Sequence, residues 1–158
     1  DRAIGDYTEA IRLDPKDAST FFNRGNAYDE KGDYDRAIGD YTEAIRLDPK
    51  YVSAFYNRGN AYDEKGDYDR AIGDYTEAIR LDPKDASAFN NRGIAYRKKG
   101  DYDRAIGDYT EAIRLDPQFA SAFNNRGIAY DKKGDYDRAI SDYTEAIRLD
   151  PQFASALP

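Results

Sequence analysis

The string GDYDRAIGDYTEAIRLDP occurs at 32–49, 66–83 and 100–117, and returns at 134–151 with Ser141 in place of a glycine. Without its first three residues it also opens the chain at Asp1. Gly25, Gly59, Gly93 and Gly127 set the period at 34 residues. A period of this size belongs to chains whose units cannot bury their apolar faces alone and so stack on their neighbours. Such stacking accounts for the lean composition. Apolar residues are 40% and charged residues 35% of the chain, and mean hydropathy is −0.94, values suited to a thin core running between helices.

Within one unit, Ala86 to Phe119, the apolar spacing is helical. Phe89, Gly93 and Tyr96 recur at i, i+4 and i+7, the stripe of an amphipathic helix. Gly100 breaks that helix, and Asp101 is a good N-cap for the next. Tyr102, Ala105, Ile106, Tyr109, Ala112 and Ile113 then repeat the periodicity until Asp116-Pro117 stops it, because a residue before proline is pushed out of the helical region. Each unit is therefore a helical hairpin, and the chain is all-α.

Composition narrows function by exclusion. The chain lacks cysteine and histidine, which removes disulfides, thiolate metal sites, thiol nucleophiles and the usual general base for Ser19, Ser53, Ser87 and Ser121. Carboxylate pairs recur in every unit, as a periodic surface does and a unique active site does not. We read the chain as no enzyme and as needing no cofactor. Asp29, Glu30, Asp33 and Asp35 crowd together without EF-hand spacing; capping and local pairing such as Asp33 with Arg36 account for them, so no metal site is expected. A net charge of −7 argues against nucleic acid. No apolar run is long enough for a bilayer and no signal peptide opens the sequence, so the expected location is cytoplasmic.

These residues resemble the tetratricopeptide repeat (TPR), whose signature is W-x2-L-G-x2-Y, then A-x3-F, then P over 34 residues. Phe55-x2-Arg58-Gly59-x2-Tyr62, Ala71-x3-Tyr75, Ala78 and Pro83 match it, with phenylalanine for tryptophan and arginine for leucine. The resemblance implies a right-handed superhelical solenoid of antiparallel hairpins forming one domain over 1–158. Its full repeats are 18–51, 52–85, 86–119 and 120–153. Residues 1–17 are a second-helix half repeat, and 154–158 begin another. Neither end is an atypical cap, which suggests a piece of a longer array. The near-identity of the units fits recent duplication and consensus design equally.

In TPR arrays the first helix of each hairpin lines a concave groove. Helical geometry sets Ser87, Asn91, Ile94 and Lys98 opposite the Phe89–Gly93–Tyr96 stripe, with Asn90 and Arg97 flanking. By resemblance, Asn91 points into the groove and forms a ladder with Asn23, Asn57 and Asn125. Arrays similar to this one, such as those of O-linked N-acetylglucosamine transferases and co-chaperones, use concave asparagines to grip extended peptide backbone. A carboxamide suits that task, because it pairs with both groups of a peptide unit whatever its side chain. The alternative is a tolerated polar residue on a solvated face. Asn26, Asn60, Phe22, Tyr56, Asn90 and Asn124 complete the candidate groove. The lysine–asparagine–arginine clamp of co-chaperones survives only in its asparagines, so a chaperone tail is not the expected ligand.

The groove changes along its length. Its first half carries acidic Asp29–Glu30 and Asp63–Glu64, and its second half carries Ile94, Ile128, Arg97, Lys98 and Lys132. Gly39, Gly73 and Gly107 sit mid-helix away from the apolar stripe, open either to close approach of another molecule or to neutral copying. The arginines read differently from the asparagines. Arg92 flanks the buried stripe beside Gly93, and Asp108 lies between Ala105 and Ala112, where helices approach closely. A bidentate pair fits there. Two registers are open. Pairing within a repeat gives Arg24–Asp40, Arg58–Asp74, Arg92–Asp108 and Arg126–Asp142; pairing with the preceding repeat starts at Arg24–Asp6. The two helices of one hairpin bring glycine and alanine positions together, which favours the first.

Two functions follow. One is a module that holds an extended peptide of a protein partner. The other is a repeat scaffold without a cognate ligand, prone to head-to-tail self-association through apolar faces left open at its ends.

Overall fold

Gly32, Gly66, Gly100 and Gly134, which open the repeated GDYDRAI string, take a positive φ, between 76° and 83°, in the computed structural model, which describes residues 1–156. The conformation completes a Schellman motif. Gly100 donates to the Arg97 carbonyl at 2.9 Å and Asp101 to the Tyr96 carbonyl at 2.9 Å, closing one helix. Asp101 then caps the next by accepting from the Arg104 backbone N–H at 3.2 Å. Asp33, Asp67 and Asp135 act in the same way.

The described residues form nine α-helices and no strand. They are α1 (Arg2–Leu13), α2 (Ala18–Glu30), α3 (Tyr34–Leu47), α4 (Val52–Glu64), α5 (Tyr68–Leu81), α6 (Ala86–Lys98), α7 (Tyr102–Leu115), α8 (Ala120–Lys132) and α9 (Tyr136–Leu149). A short 3₁₀ helix, Pro151–Ala156, follows; residues 157 and 158 of the segment expected to begin another repeat lie outside the described residues. No described helix is long and apolar enough to cross a membrane.

The chain gathers into two compact units, Asp1–Asp82 and Pro83–Pro158. In the first, α2 pairs with α3 and α4 with α5, while α3 also packs on α4 and α1 on α2. In the second, α6 pairs with α7 and α8 with α9, while α7 packs on α8. Close approach within each hairpin rests on one residue pair. Tyr41, Tyr75 and Tyr109 are fully or almost fully buried, each ring lying over the glycine of its own first helix. Alanines fill the remaining contacts, and Ala37, Ala61, Ala105 and Ala129 are completely buried. Small residues let the backbones approach, and the tyrosine supplies the buried area.

Gly39, Gly73 and Gly107 face the other way. A Cβ added at any of them would meet nothing. Their backbone is plainly helical, so only the entropic penalty of glycine remains. Replacing Gly107 with alanine is expected to raise stability by about 0.5–1 kcal/mol in urea unfolding. A loss of stability would mean that the backbone there is not an ordinary helix interior.

Candidate functional site

The first helices α2, α4, α6 and α8 carry the polar residues singled out from sequence. The structure gives the arginines partners within their own hairpins. Arg24 donates from Nε to Asp40 Oδ2 at 2.7 Å and from Nη2 to Asp40 Oδ1 at 2.8 Å. Arg58–Asp74, Arg92–Asp108 and Arg126–Asp142 repeat this fork at 2.7–2.8 Å. All four aspartates are buried, and each guanidinium is held charged first of all by its aspartate.

The guanidinium reaches further than the sequence suggested. The Nη1 groups of Arg24, Arg58 and Arg126 donate to Thr8, Thr42 and Thr110 on the preceding second helix at 3.2, 3.0 and 3.1 Å. Each of these threonines donates its own hydroxyl to the carbonyl four residues back. One arginine therefore ties three helices, and it also stacks near Phe21 and Tyr28, or their equivalents, at 5.6–6.0 Å. Sequence reasoning passed over the threonine. Its signal was the unvarying DYTEAIRL of every second helix. Lysines just past the first helices were missed too: Lys31, Lys65 and Lys133 pair with Asp1, Asp35 and Asp103 of the preceding second helix.

The asparagines divide. Asn23 is exposed on α2, and Asn57 is half-buried on α4. Asn57 donates from Nδ2 to Asn26 Oδ1 at 2.9 Å, and the same oxygen accepts from the Tyr41 hydroxyl at 2.8 Å. Asn60 accepts from the Tyr75 hydroxyl at 2.6 Å. Asn26 and Asn60 thus satisfy buried phenols. Where Ile94 stands instead, Arg97 Nε reaches the Tyr109 hydroxyl at 3.4 Å. Burial pushes that phenol up to about 12, with Arg97 pulling the other way.

In the second unit Asn125 donates from Nδ2 to Asn90 Oδ1 at 3.1 Å. Asn90 is only 6% exposed, which corrects its expected place in an open groove. It flanks the outward face closely enough for its neighbours to cover it. Phe22 also departs from expectation. It packs against Tyr41 and Tyr51, with ring centroids 5.9 and 4.9 Å apart, and belongs to the margin of the core. Tyr56 is half-buried, 6.0 Å from Tyr75 in an edge-on arrangement. Asn91 is half-buried and engaged within the chain, and Asn124 and Asn125 are half-buried. Asn57 and Asn125 each spend one N–H on a neighbouring first helix.

Charge differs between the two faces. At the ends of α2 and α4 lie Asp29, Glu30, Asp63 and Glu64; burial holds the Asp29 carboxyl above its usual range, and Glu64 and Glu30 add to the effect. The corresponding ends of α6 and α8 carry Arg97, Lys98 and Lys132.

The sequence profile of the tetratricopeptide repeat matches residues 1–52, 22–86, 56–118 and 90–154. No curated protein matches the chain. Among solved structures, one crystal structure of MamA is 28% identical, with a TM-score of 0.90 over 96% of this chain and 89% of that one. A second crystal structure of MamA protein is also 28% identical, with a TM-score of 0.87 over 96% and 83% of the two chains. MamA 41-end from Desulfovibrio magneticus RS-1 is 23% identical and shares the fold at a TM-score of 0.89, over 94% of this chain and 84% of that one.

Proposed function

The chain belongs to the tetratricopeptide-repeat family of protein–protein interaction modules, which are non-catalytic scaffolds, and on that premise we propose that its first helices hold an extended peptide segment. The observation that carries this reading is the pair Asn23 and Asn57, one exposed and one half-buried, on the packed first helices of one unit. Asn57 uses one N–H on Asn26. Its carbonyl is what a peptide N–H needs, and the bond to Asn26 holds the amide in place beforehand. Asn124 and Asn125 occupy the comparable face of the second unit.

Charge sets what each unit prefers in a ligand. The acidic ends of α2 and α4 favour lysine or arginine in the ligand, and relief of the repulsion around Asp29 adds to that preference. Ile94, Ile128, Arg97, Lys98 and Lys132 favour apolar and acidic ligand residues. The four arginines have no part in binding, since Asp40 and its equivalents hold them.

A displayed peptide library panned against the chain tests this. Selected peptides should carry basic residues and bind an Asn23→Ala/Asn57→Ala variant about tenfold or more weakly, two amide bonds being worth roughly 1–3 kcal/mol. Equal capture by both proteins would remove the asparagines from the site.

A second reading is favoured by separate observations. Leu13 is 70% exposed on α1, and Tyr136 and Ile140 are 63% and 62% exposed on α9. Apolar faces of this kind on a stacked-repeat chain support association between copies.

A further inference from the structure

The buried tyrosine of a second helix needs an acceptor for its hydroxyl proton, and the hairpins meet that need differently. Tyr41 donates to Asn26 Oδ1 at 2.8 Å, and Tyr75 donates to Asn60 Oδ1 at 2.6 Å. In the hairpin of α6 and α7, Ile94 stands in place of that asparagine and offers no acceptor. Three residues on, Arg97 stands where α2 and α4 carry Asp29 and Asp63. Its Nε directs an N–H at the Tyr109 hydroxyl oxygen at 3.4 Å. A guanidinium only donates, so the phenol accepts and its own proton is left over. Tyr109 is completely buried, and its hydroxyl makes no other bond among the described residues.

Two donors that face each other without an acceptor are unfavourable in a folded chain, and a group from outside completes their bonding. Arg97 differs from the other arginines in the same sense. Arg92 holds Asp108 and Arg104 and Arg114 hold Asp101 and Glu111, whereas Arg97 meets a neutral phenol. We propose that Arg97 and the Tyr109 hydroxyl form a binding site for a carboxylate of the bound segment, from an acidic side chain or its C-terminus. The proposal rests on the peptide reading and gives the second unit a defined subsite.

A guanidinium takes a carboxylate in a fork of two bonds, and the hydroxyl donates a third to the same group. Arg97 lies against the hydroxyl and is itself only half-buried, so a carboxylate that draws the guanidinium outward reaches both donors. Nothing in the unit takes the place of the ligand. Asp108 is held by Arg92 through both oxygens. Asp131 and Arg97 act on the Tyr143 phenol in opposite senses, yet form no ion pair with each other. Ile94 and Ile128 are half-buried on the same face, so apolar residues suit the flanks of the ligand's carboxylate. The first unit has no such site, because Asn26 and Asn60 accept the phenol protons there.

Two measurements on the full chain test the site, and the first needs no ligand. Tyr109→Phe removes a proton that has no acceptor, so its urea midpoint should equal or exceed that of the natural chain. Tyr75→Phe breaks the bond to Asn60 and should lower the midpoint. Equal losses would mean that a buried water alone serves Tyr109, which overturns the site. The second measurement titrates the chain, by NMR, with leucyl-glutamyl-leucine and leucyl-glutaminyl-leucine blocked at both ends. The glutamyl peptide should bind about tenfold more tightly. Arg97→Asp should reverse that order, and aspartate already occupies the position in α2, α4 and α8, so folding is not at stake. Asn23→Ala/Asn57→Ala, altered only in the first unit, should keep the preference. The glutaminyl peptide with a free C-terminus identifies the source. Tighter binding than the glutamyl peptide assigns the carboxylate to a chain end, and weaker binding assigns it to a side chain; either supports the site. Equal affinity for the two blocked peptides, or displacement of the glutamyl peptide by equimolar inorganic phosphate, overturns the carboxylate site and leaves the asparagine reading standing. If neither tripeptide binds and panning of the library returns nothing, both readings fall.

Discussion

Replacing Arg92 with alanine is expected to destabilise the protein by about 3 kcal/mol, the lower end of what breaking a buried ion pair costs. The side chains of Arg92 and Asp108 are 17% and 10% exposed, and their fork is made of two hydrogen bonds of 2.8 Å. Removing the guanidinium leaves the Asp108 carboxylate buried between alanines with its strongest partner gone. Arg114→Ala is the control. That arginine pairs with Glu111 on the same helix, its side chain is 66% exposed, and its loss should cost no more than about 0.5–1 kcal/mol. Urea midpoints of the two variants separate the cases. The double variant Arg92→Met/Asp108→Leu is expected to recover most of the loss, because apolar residues of similar volume replace buried pairs well. Equal midpoints for Arg92→Ala and Arg114→Ala would return the four arginines to the ligand face.

The second large effect comes from one methyl group. Gly93→Ala would set a Cβ 2.7 Å from Cε1 and 2.9 Å from Cδ1 of the Tyr109 ring. The ring is completely buried and has nowhere to swing, so α6 and α7 must separate. Overpacking of this kind costs about 1–3 kcal/mol, and the gain in helix propensity returns less than about 1 kcal/mol of it. A net loss near 2 kcal/mol is expected in thermal or urea unfolding. The same substitution at Gly107, in the same hairpin, should stabilise. Opposite signs at two helical glycines distinguish close packing from backbone propensity. A neutral Gly93→Ala would mean that the two helices are not held by that contact.

The hairpins were legible because every boundary has a local cause. Gly100 and Asp101 end one helix and begin the next through bonds spanning a few residues, and Pro117 excludes continuation. The ion pairs were legible for a related reason: Arg92 beside Gly93 and Asp108 between two alanines mark where two backbones touch, which selects the within-repeat register. The asparagines were harder. Asn90 differs from Asn91 by one step of 100° around the helix, and the packing of neighbouring helices, which no single repeat encodes, decides which of them is covered. Asn26 gave a further difficulty. Its partner, the Tyr41 hydroxyl, comes from a second helix that reads as wholly apolar at that position. The Thr8–Arg24 bond joins neighbouring repeats and is visible only once they are stacked.

Adjacent residues on one turn of α2 give the most direct test. Asn23 is exposed, and Arg24 is locked to Asp40. The measurement is peptide affinity by calorimetry together with the melting temperature, for Asn23→Ala and Arg24→Ala, using one peptide selected by the natural chain. Asn23→Ala should melt as the natural chain does and bind several-fold more weakly, as loss of one amide bond of about 1 kcal/mol requires. Arg24→Ala should melt well below the natural chain and, while folded at low temperature, bind the peptide with unchanged affinity. An Asn23→Ala chain of undiminished affinity, beside an Arg24→Ala chain that keeps its melting temperature and loses the peptide, would contradict the division between asparagine for binding and arginine for the fold.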